Sequence, residues 1–100
     1  MTTLVINNLV DDTSTNLAGS QLYSILDKHL ATDEIIEIDL YGSPAISSSF
    51  FNSSFGRLIE ENTFSTVVKR LKFKNVSINQ RRLLKAYFDT YKGLSVLAKA

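Results

Sequence analysis

The sequence predicts a small α/β domain in which three strands alternate with three helices, in the order βαβαβα. Short runs rich in β-branched residues alternate with longer segments whose apolar residues recur every three or four positions. Residues that cap helices or break strands mark most of the junctions. The chain has 100 residues, 44% hydrophobic and 21% charged, which is typical of one globular domain over residues 1–100. Because each strand leads into a helical crossover, we expect a small, mainly parallel sheet.

The first unit is a predicted strand at residues 4–10 followed by a helix at about residues 13–30. The strand reads LVINNLV, and the segment DDTS after it offers several helix N-cap residues. One face of the helix carries apolar residues at helical spacing, and His29 is the last residue on that face. We expect His29 to be half-buried and to satisfy a carbonyl group, since the sequence nominates no catalytic partner for it.

The second strand covers residues 34–40 and has two different faces. Ile36, Ile38 and Leu40 form a wholly apolar face that we expect to be fully packed, whereas Glu37 and Asp39 lie on a face that is only partly covered. Gly42 and Pro44 end the strand. We expect Asp39 to organise the loop that follows, because no glycine-rich loop or metal motif supports an acid/base pair with Glu37.

The segment SPAISSSFFNSSF, residues 43–55, predicts a strand-to-helix turn and an amphipathic helix that begins at Ser47. Its apolar face carries Phe51, Phe55, Leu58 and Ile59, and the opposite face carries Asn52, Ser53, Gly56 and Glu60. We expect Phe51 to lie in the core. Phe50 is predicted to lie nearer the rim, as a partner-facing aromatic anchor.

The third unit begins with a strand at residues 70–76, where basic and apolar residues alternate. This pattern predicts an edge strand whose lysines discourage pairing with other chains. Ser77 and Gln80 match a capping box that opens the last helix. The predicted buried stripe of that helix consists of Leu83, Leu84, Tyr87, Phe88, Tyr91 and Leu94. Gly93 is a candidate end for this helix. A further secondary-structure element remains open around residues 67–68 or at residues 95–97.

The sequence lacks the residues that several classes of function require. Cysteine is absent and histidine occurs once, so the common zinc sites cannot form, and no phosphate loop or nucleophile motif is present. No apolar run is long enough to span a bilayer, and the N-terminus does not resemble a signal peptide. We therefore expect a non-enzymatic cytoplasmic domain without a cofactor, a metal ion or a membrane association.

Charge is distributed unevenly along the chain. Residues 1–50 carry one basic and seven acidic residues, whereas residues 51–100 carry ten basic and three acidic ones. The basic half leaves open a nucleic-acid accessory function, although the aromatic residues of the last helix fall on its buried stripe and not among the charges. A second open alternative is self-association, with the acidic half of one copy against the basic half of another.

Two segments resemble STAS domains, the fold of bacterial anti-sigma factor antagonists, over about residues 34–94. In the first, a strand ending in IDL leads through a short loop into ISSSF at the start of a helix. In the second, LKFKNVSINQRRLL, residues 71–84, resembles the last strand, capping serine and closing helix of that family. The pattern SSFF after the turn is most similar to the shorter STAS-like branch.

The resemblance implies a non-catalytic protein-interaction module in a bacterial signalling switch. Its implied partner is a GHKL-type ATPase or serine kinase, and by position the implied phosphorylation site is Ser48. The other implied contact residues are Tyr41, Gly42, Ser47, Ser49 and Phe50. In this chain Ser47 stands where the antagonists have an aspartate, and Phe50 stands where they have a glycine. An alternative that needs no partner is that Ser47, Ser48 and Ser49 only cap the helix.

Overall fold

The computed structural model describes the backbone of residues 1–99 and the side chains of residues 1–93. Its elements follow in chain order: β1 Thr2–Val5, α1 Ile6–Leu9, α2 Asn16–Leu30, β2 Ile36–Asp39, α3 Ser48–Phe51, a π-helical segment Asn52–Gly56, α4 Arg57–Glu61, α5 Phe64–Arg70, β3 Leu71–Lys74 and α6 Ile78–Lys99. The segments α3, Asn52–Gly56 and α4 follow one another without a break, and together they are called the central helix. The mixed α/β class is confirmed.

The three strands form one sheet in the order β1-β2-β3, and both pairs are parallel. The predicted parallel sheet is therefore confirmed, as is the edge position of β3. The register pairs Leu4 with Ile38 and Ile38 with Phe73, so these three side chains share one face. Ile36, Ile38 and Leu40 are at most 1% exposed, as the pattern of the second strand predicts. The helices pack on this apolar face.

The opposite face of the sheet is polar. The Thr3 hydroxyl donates a hydrogen bond to Glu37 (3.0 Å), and the Lys74 ammonium lies 3.3 Å from the same carboxylate. Glu37 and Asp39 thus share the partly covered face that the sequence predicts. The side chains of this face satisfy one another across neighbouring strands and leave the apolar residues to the other side.

The predicted strand at residues 4–10 is wrong in its second half. β1 ends at Val5, and Ile6–Leu9 forms a single helical turn closed by a hydrogen bond from the Val10 amide to the Ile6 carbonyl (3.2 Å). Ile6 and Val10 are both buried, whereas Asn7 and Asn8 are exposed. A spacing of four residues between buried positions fits a helical turn and not the alternation of a strand.

The central helix is buried on more than one side. Phe50, Phe51, Phe55 and Leu58 are fully buried, which confirms the prediction for Phe51. Placing Gly56 on an outer face was wrong, because a Cβ atom added there would lie 2.3 Å from the Tyr91 hydroxyl of α6. The π-helical segment shifts the helical register, so that Ser54, Phe55 and Gly56 are all buried.

The last helix is longer than the sequence suggests. Gly93 does not end α6, whose backbone continues to Lys99. Leu84, Tyr87, Phe88 and Tyr91 pack on the core as predicted. Residues 95–97 belong to this helix, and the side chains from residue 94 onward lie outside the described part. The further element near residues 67–68 is the helix α5, which begins after its N-cap Thr63.

Two side chains find their partners near the C-terminal end of α2, one from α2 and one from α5. His29 is half-buried as predicted, but its Nδ1 lies 3.6 Å from the Glu34 carboxylate, and among the described residues its side chain makes no hydrogen bond to a carbonyl group. The Arg70 guanidinium donates to the backbone carbonyls of Thr32 and Glu34 in the turn between α2 and β2. These contacts hold the end of the sheet that lies away from the loop at residues 40–47.

Candidate functional site

The carboxylate of Asp39 organises the end of β2, as the sequence predicts. Its Oδ1 accepts hydrogen bonds from the Asn75 side-chain amide and from the Tyr41 backbone N–H, both at 2.9 Å. The Asn75 hydrogen bond contributes most to lowering the pKa of Asp39, followed by the Tyr41 N–H, and the charge of Lys74 acts in the same direction against the effect of burial. A charged carboxylate therefore joins the ends of β2 and β3.

A tight turn at residues 40–43 presents Tyr41 to solvent. The Ser43 N–H donates to the Leu40 carbonyl at 3.0 Å, and Gly42, the third residue of the turn, has a φ of 75°. This is the geometry of a type II turn, which favours glycine at that position. The Tyr41 side chain is 74% exposed. The turn thus holds an aromatic side chain outside the core.

The rest of the loop is fixed from two sides. On one side, the Thr13 hydroxyl donates to the Ala45 carbonyl at 3.1 Å. On the other, Gln80 of α6 donates through Nε2 to the Ser43 carbonyl at 3.0 Å, and the Tyr87 hydroxyl donates to the Ile46 carbonyl at 3.1 Å. Since these bonds reach elements far apart in the chain, the loop has a defined shape although it contains no regular structure.

Ser47 and Ser48 have different roles at the start of the central helix. Ser47 is the N-cap: its hydroxyl accepts from the Phe50 N–H at 3.1 Å and donates to the Ser14 carbonyl at 2.9 Å. Ser48 and Ser49 are exposed. Within the described residues the Ser48 hydroxyl has no hydrogen-bond partner. Ser47 is therefore committed to the fold, whereas the Ser48 hydroxyl is accessible.

The structure exposes four of the six predicted site residues on one surface, whereas Ser47 is half-buried and Phe50 is buried. Tyr41, Gly42, Ser48 and Ser49 are exposed along the loop and the first helical turn. The placement of Phe50 at the rim was wrong, because its side chain is 0% exposed. α2 approaches the backbone closely here, because a Cβ atom added at Gly19 would lie 2.7 Å from the Phe50 carbonyl oxygen.

Four residues that shape this site were missed as site residues: Thr13, Asn75, Gln80 and Tyr87. Asn75 carries a weak sequence signal, because an asparagine directly after a strand tolerates the left-handed backbone that it adopts here, with a φ of 55°. Gln80 was recognised as half of the capping box, which is confirmed, since its Oε1 accepts from the Ser77 N–H at 2.9 Å. Its second role in holding the loop has no local signal.

Several basic side chains of the second half are engaged within the domain. Arg70 binds backbone carbonyls, Lys74 lies between Glu37 and Asp39, and Lys85 lies 3.2 Å from Asp89.

Across the described residues, no group of histidine, aspartate or glutamate side chains is arranged to hold a metal ion. In the same part of the chain, no helix is long and apolar enough to cross a membrane.

A parallel sheet covered by helices on one face, with an ordered strand-to-helix turn at the end of its central strand, defines a small α/β domain of the STAS type. A family model described as a STAS-like domain of unknown function (DUF4325) matches residues 18–80. The chain belongs to this STAS-like family. The match includes β2, the loop, the central helix and β3, and it ends at Gln80 in the first turn of α6.

The other comparisons add no relative. Neither a curated protein nor a solved structure matches the chain.

Proposed function

We propose that this chain is a non-catalytic protein-interaction module of a bacterial cytoplasmic signalling switch. Its contact surface comprises residues 41–49, that is, the loop after β2 and the start of the central helix. By similarity to anti-sigma factor antagonists, its partner is a GHKL-type ATPase or a serine kinase. Phosphorylation of Ser48 regulates the contact.

The observation that carries this proposal is the ordered loop with an exposed aromatic side chain. Hydrogen bonds from Thr13, Gln80 and Tyr87 hold the loop in one conformation, so that a partner does not have to order it on binding. Tyr41 is 74% exposed, and tyrosine is among the residues that contribute most at protein interfaces. A preorganised surface with an exposed aromatic residue is well suited to docking.

The environment of Ser48 supports its role as the modified residue. The neighbouring Ser47 hydroxyl is occupied on both sides by the Ser14 carbonyl and the Phe50 N–H. Ser48 is exposed in the first turn of a helix, where backbone N–H groups and the helix dipole favour added negative charge. A phosphate adds about −1.5 to −2 charges at neutral pH, which would weaken an interface that covers the turn.

Binding is tested by affinity capture from the native host with the wild type, Tyr41→Ala and Lys28→Ala. Lys28 is an exposed residue near the far end of α2 and serves as the matched control. We expect one partner to be captured by the wild type and Lys28→Ala and lost with Tyr41→Ala. Equal capture by all three variants would remove the loop as the contact surface.

Phosphorylation is tested with the captured partner, ATP and intact-mass measurement. The wild type and Ser49→Ala should gain one phosphate, and Ser48→Ala should gain none. Ser49 is the matched control because it is exposed in the same helical turn. If Ser48→Ala still gains a phosphate, or the wild type gains none, Ser48 is not the regulated residue.

A further inference from the structure

An apolar pocket lies between α5, β3 and α6. Its volume is about 390 Å³, within the range of small-molecule sites. Its apolar walls include Phe64 and Val68 from α5, Leu71 and Phe73 from β3, and Leu84 and Phe88 from α6. None of these residues belongs to the contact surface at residues 41–49.

The pocket walls are apolar side chains that remain in contact with water. Phe64, Phe73 and Phe88 are each half-buried, and Val68 is 41% exposed. The rings of Phe64 and Phe73 lie 6.4 and 5.9 Å from the ring of Phe88, so the aromatic lining is continuous. Burying this lining against an alkyl chain is favourable because it removes apolar surface from water on both partners.

Two cations complete the pocket and give it polarity. Arg81 and Lys85 are four residues apart on α6, hence on the same helical face, and both line the pocket. Lys85 already lies 3.2 Å from Asp89. Within the described residues, no carboxylate lies within ion-pair distance of Arg81. An apolar cavity with an unpaired guanidinium on its wall is complementary to an apolar ligand with one anionic end.

We propose that this pocket binds an aliphatic monocarboxylate, with the alkyl chain among Phe64, Phe73 and Phe88 and the carboxylate on Arg81. The planar guanidinium matches a carboxylate through two parallel hydrogen bonds. Lys85 adds a second positive charge, partly neutralised by Asp89. The chemistry requires both parts of the ligand, an apolar chain and an anionic head.

The test uses the full chain and sodium decanoate below its micelle-forming concentration, followed by amide NMR. Decanoate should cause saturable shifts at residues of α5, β3 and the first turns of α6. Octanoate should bind more weakly by about fourfold for each CH₂ removed. Decylamine, with the same chain and the opposite charge, should bind much more weakly. Binding of decylamine equal to that of decanoate, or no saturable shift at all, would overturn the proposal.

Variants separate the head group from the chain. Arg81→Gln should weaken decanoate binding by about fivefold, the effect of one nearby charge in water. Arg82→Gln is the matched control, because Arg82 is exposed on the same helix and does not line the pocket. Val68→Trp should fill the pocket and abolish binding, with circular dichroism verifying the fold. An equal loss with Arg82→Gln contradicts the role of Arg81.

Two further arms identify the source of the ligand chemistry. Phosphatidylglycerol vesicles present an anionic phosphate head group and acyl chains on a membrane surface, and an acidic amphipathic peptide presents carboxylates and apolar side chains on a protein. We expect monomeric decanoate to bind, and we expect neither vesicles nor peptide to bind the chain when decanoate is absent. Sedimentation with vesicles, or peptide binding, in the absence of decanoate binding would overturn the small-molecule site.

Discussion

The side-chain amide of Asn75 donates a hydrogen bond of 2.9 Å to the carboxylate of Asp39 and so joins the C-terminal ends of two neighbouring parallel strands. The same carboxylate oxygen accepts the Tyr41 N–H, which fixes the first residue of the loop. One acidic side chain thereby couples the edge strand to the surface proposed to meet a partner. This coupling has a measurable dependence on pH.

Stability should fall in acid because of Asp39. The Asn75 hydrogen bond, the Tyr41 N–H and Lys74 lower the pKa of Asp39 in the folded protein from its ordinary 3.8. A lowered folded-state pKa means that this stabilisation is complete above about 3.8 and is lost as the pH falls through the folded-state value. Asn75→Gly removes the donor and tolerates the left-handed backbone, so it should raise the pKa of Asp39 toward 3.8.

This is measured by NMR titration of the Asp39 carboxyl carbon and by urea midpoints between about pH 6 and about pH 2. The wild type should lose more stability over the acidic part of that interval than Asn75→Gly. An Asp39 that titrates at or above 3.8 in the wild type contradicts the assignment.

Truncation to alanine should lower the free energy of unfolding strongly at Phe50 and hardly at all at Tyr41. Phe50 is 0% exposed, and Phe50→Ala should lower the free energy of unfolding by about 3–5 kcal/mol, the cost of a large cavity. Tyr41 is 74% exposed, and Tyr41→Ala should change it by no more than about 0.5 kcal/mol. Urea denaturation followed by circular dichroism measures both. A Phe50→Ala variant as stable as the wild type would mean that Phe50 does not lie in the core.

Two helical glycines should give opposite results when changed to alanine. At Gly19 an added Cβ atom would lie 2.6 Å from the Ser53 Cβ and 2.7 Å from the Phe50 carbonyl oxygen, so α2 and the central helix must separate. Gly19→Ala should destabilise the domain by about 1–3 kcal/mol.

Gly93 is the matched control for Gly19. No described atom lies within 4 Å of a Cβ atom added there, and Gly93→Ala should stabilise α6 by about 0.5–1 kcal/mol. Thermal unfolding of the two variants distinguishes them directly. A stabilising effect of similar size at both positions would show that helix propensity, and not the close approach at Gly19, determines the result.

Gln80 should hold the loop separately from its role in the helix cap. Gln80→Glu keeps the acceptor for the Ser77 N–H but removes the donor to the Ser43 and Pro44 carbonyls. We expect a loss of about 1–3 kcal/mol and faster hydrogen exchange at the Ser43 and Ser47 amides.

Ser77→Ala is the control variant for Gln80→Glu, because it affects the helix cap and not the loop. It removes the cap hydroxyl that accepts from the Gln80 N–H and should cost about 1 kcal/mol, without faster exchange in the loop. Unchanged exchange at Ser43 in Gln80→Glu would show that the loop does not depend on this side chain.

Local patterns predicted the parts of the fold that depend on neighbours in sequence. The apolar face of β2 and the Ser77–Gln80 capping box follow from spacing alone, and the structure confirms both. Asp39 was predicted to organise the loop because it lies near the end of the central strand, where α/β folds commonly place functional residues. The helical turn at Ile6–Leu9 was missed because a run of seven residues with β-branched side chains fits a strand equally well.

By itself, the sequence determined the alternation of three strands with helical connections, the parallel sheet, and the location of an accessible serine-rich turn after the central strand. Tertiary structure alone decided which of its residues are exposed. Phe50 is buried where Gly19 lets α2 approach the central helix, and Gly56 is buried where Tyr91 reaches it from α6. These contacts join residues more than thirty positions apart. Helical periodicity indicates which residues share a face, but the number of faces that neighbours cover depends on the packing of the whole domain.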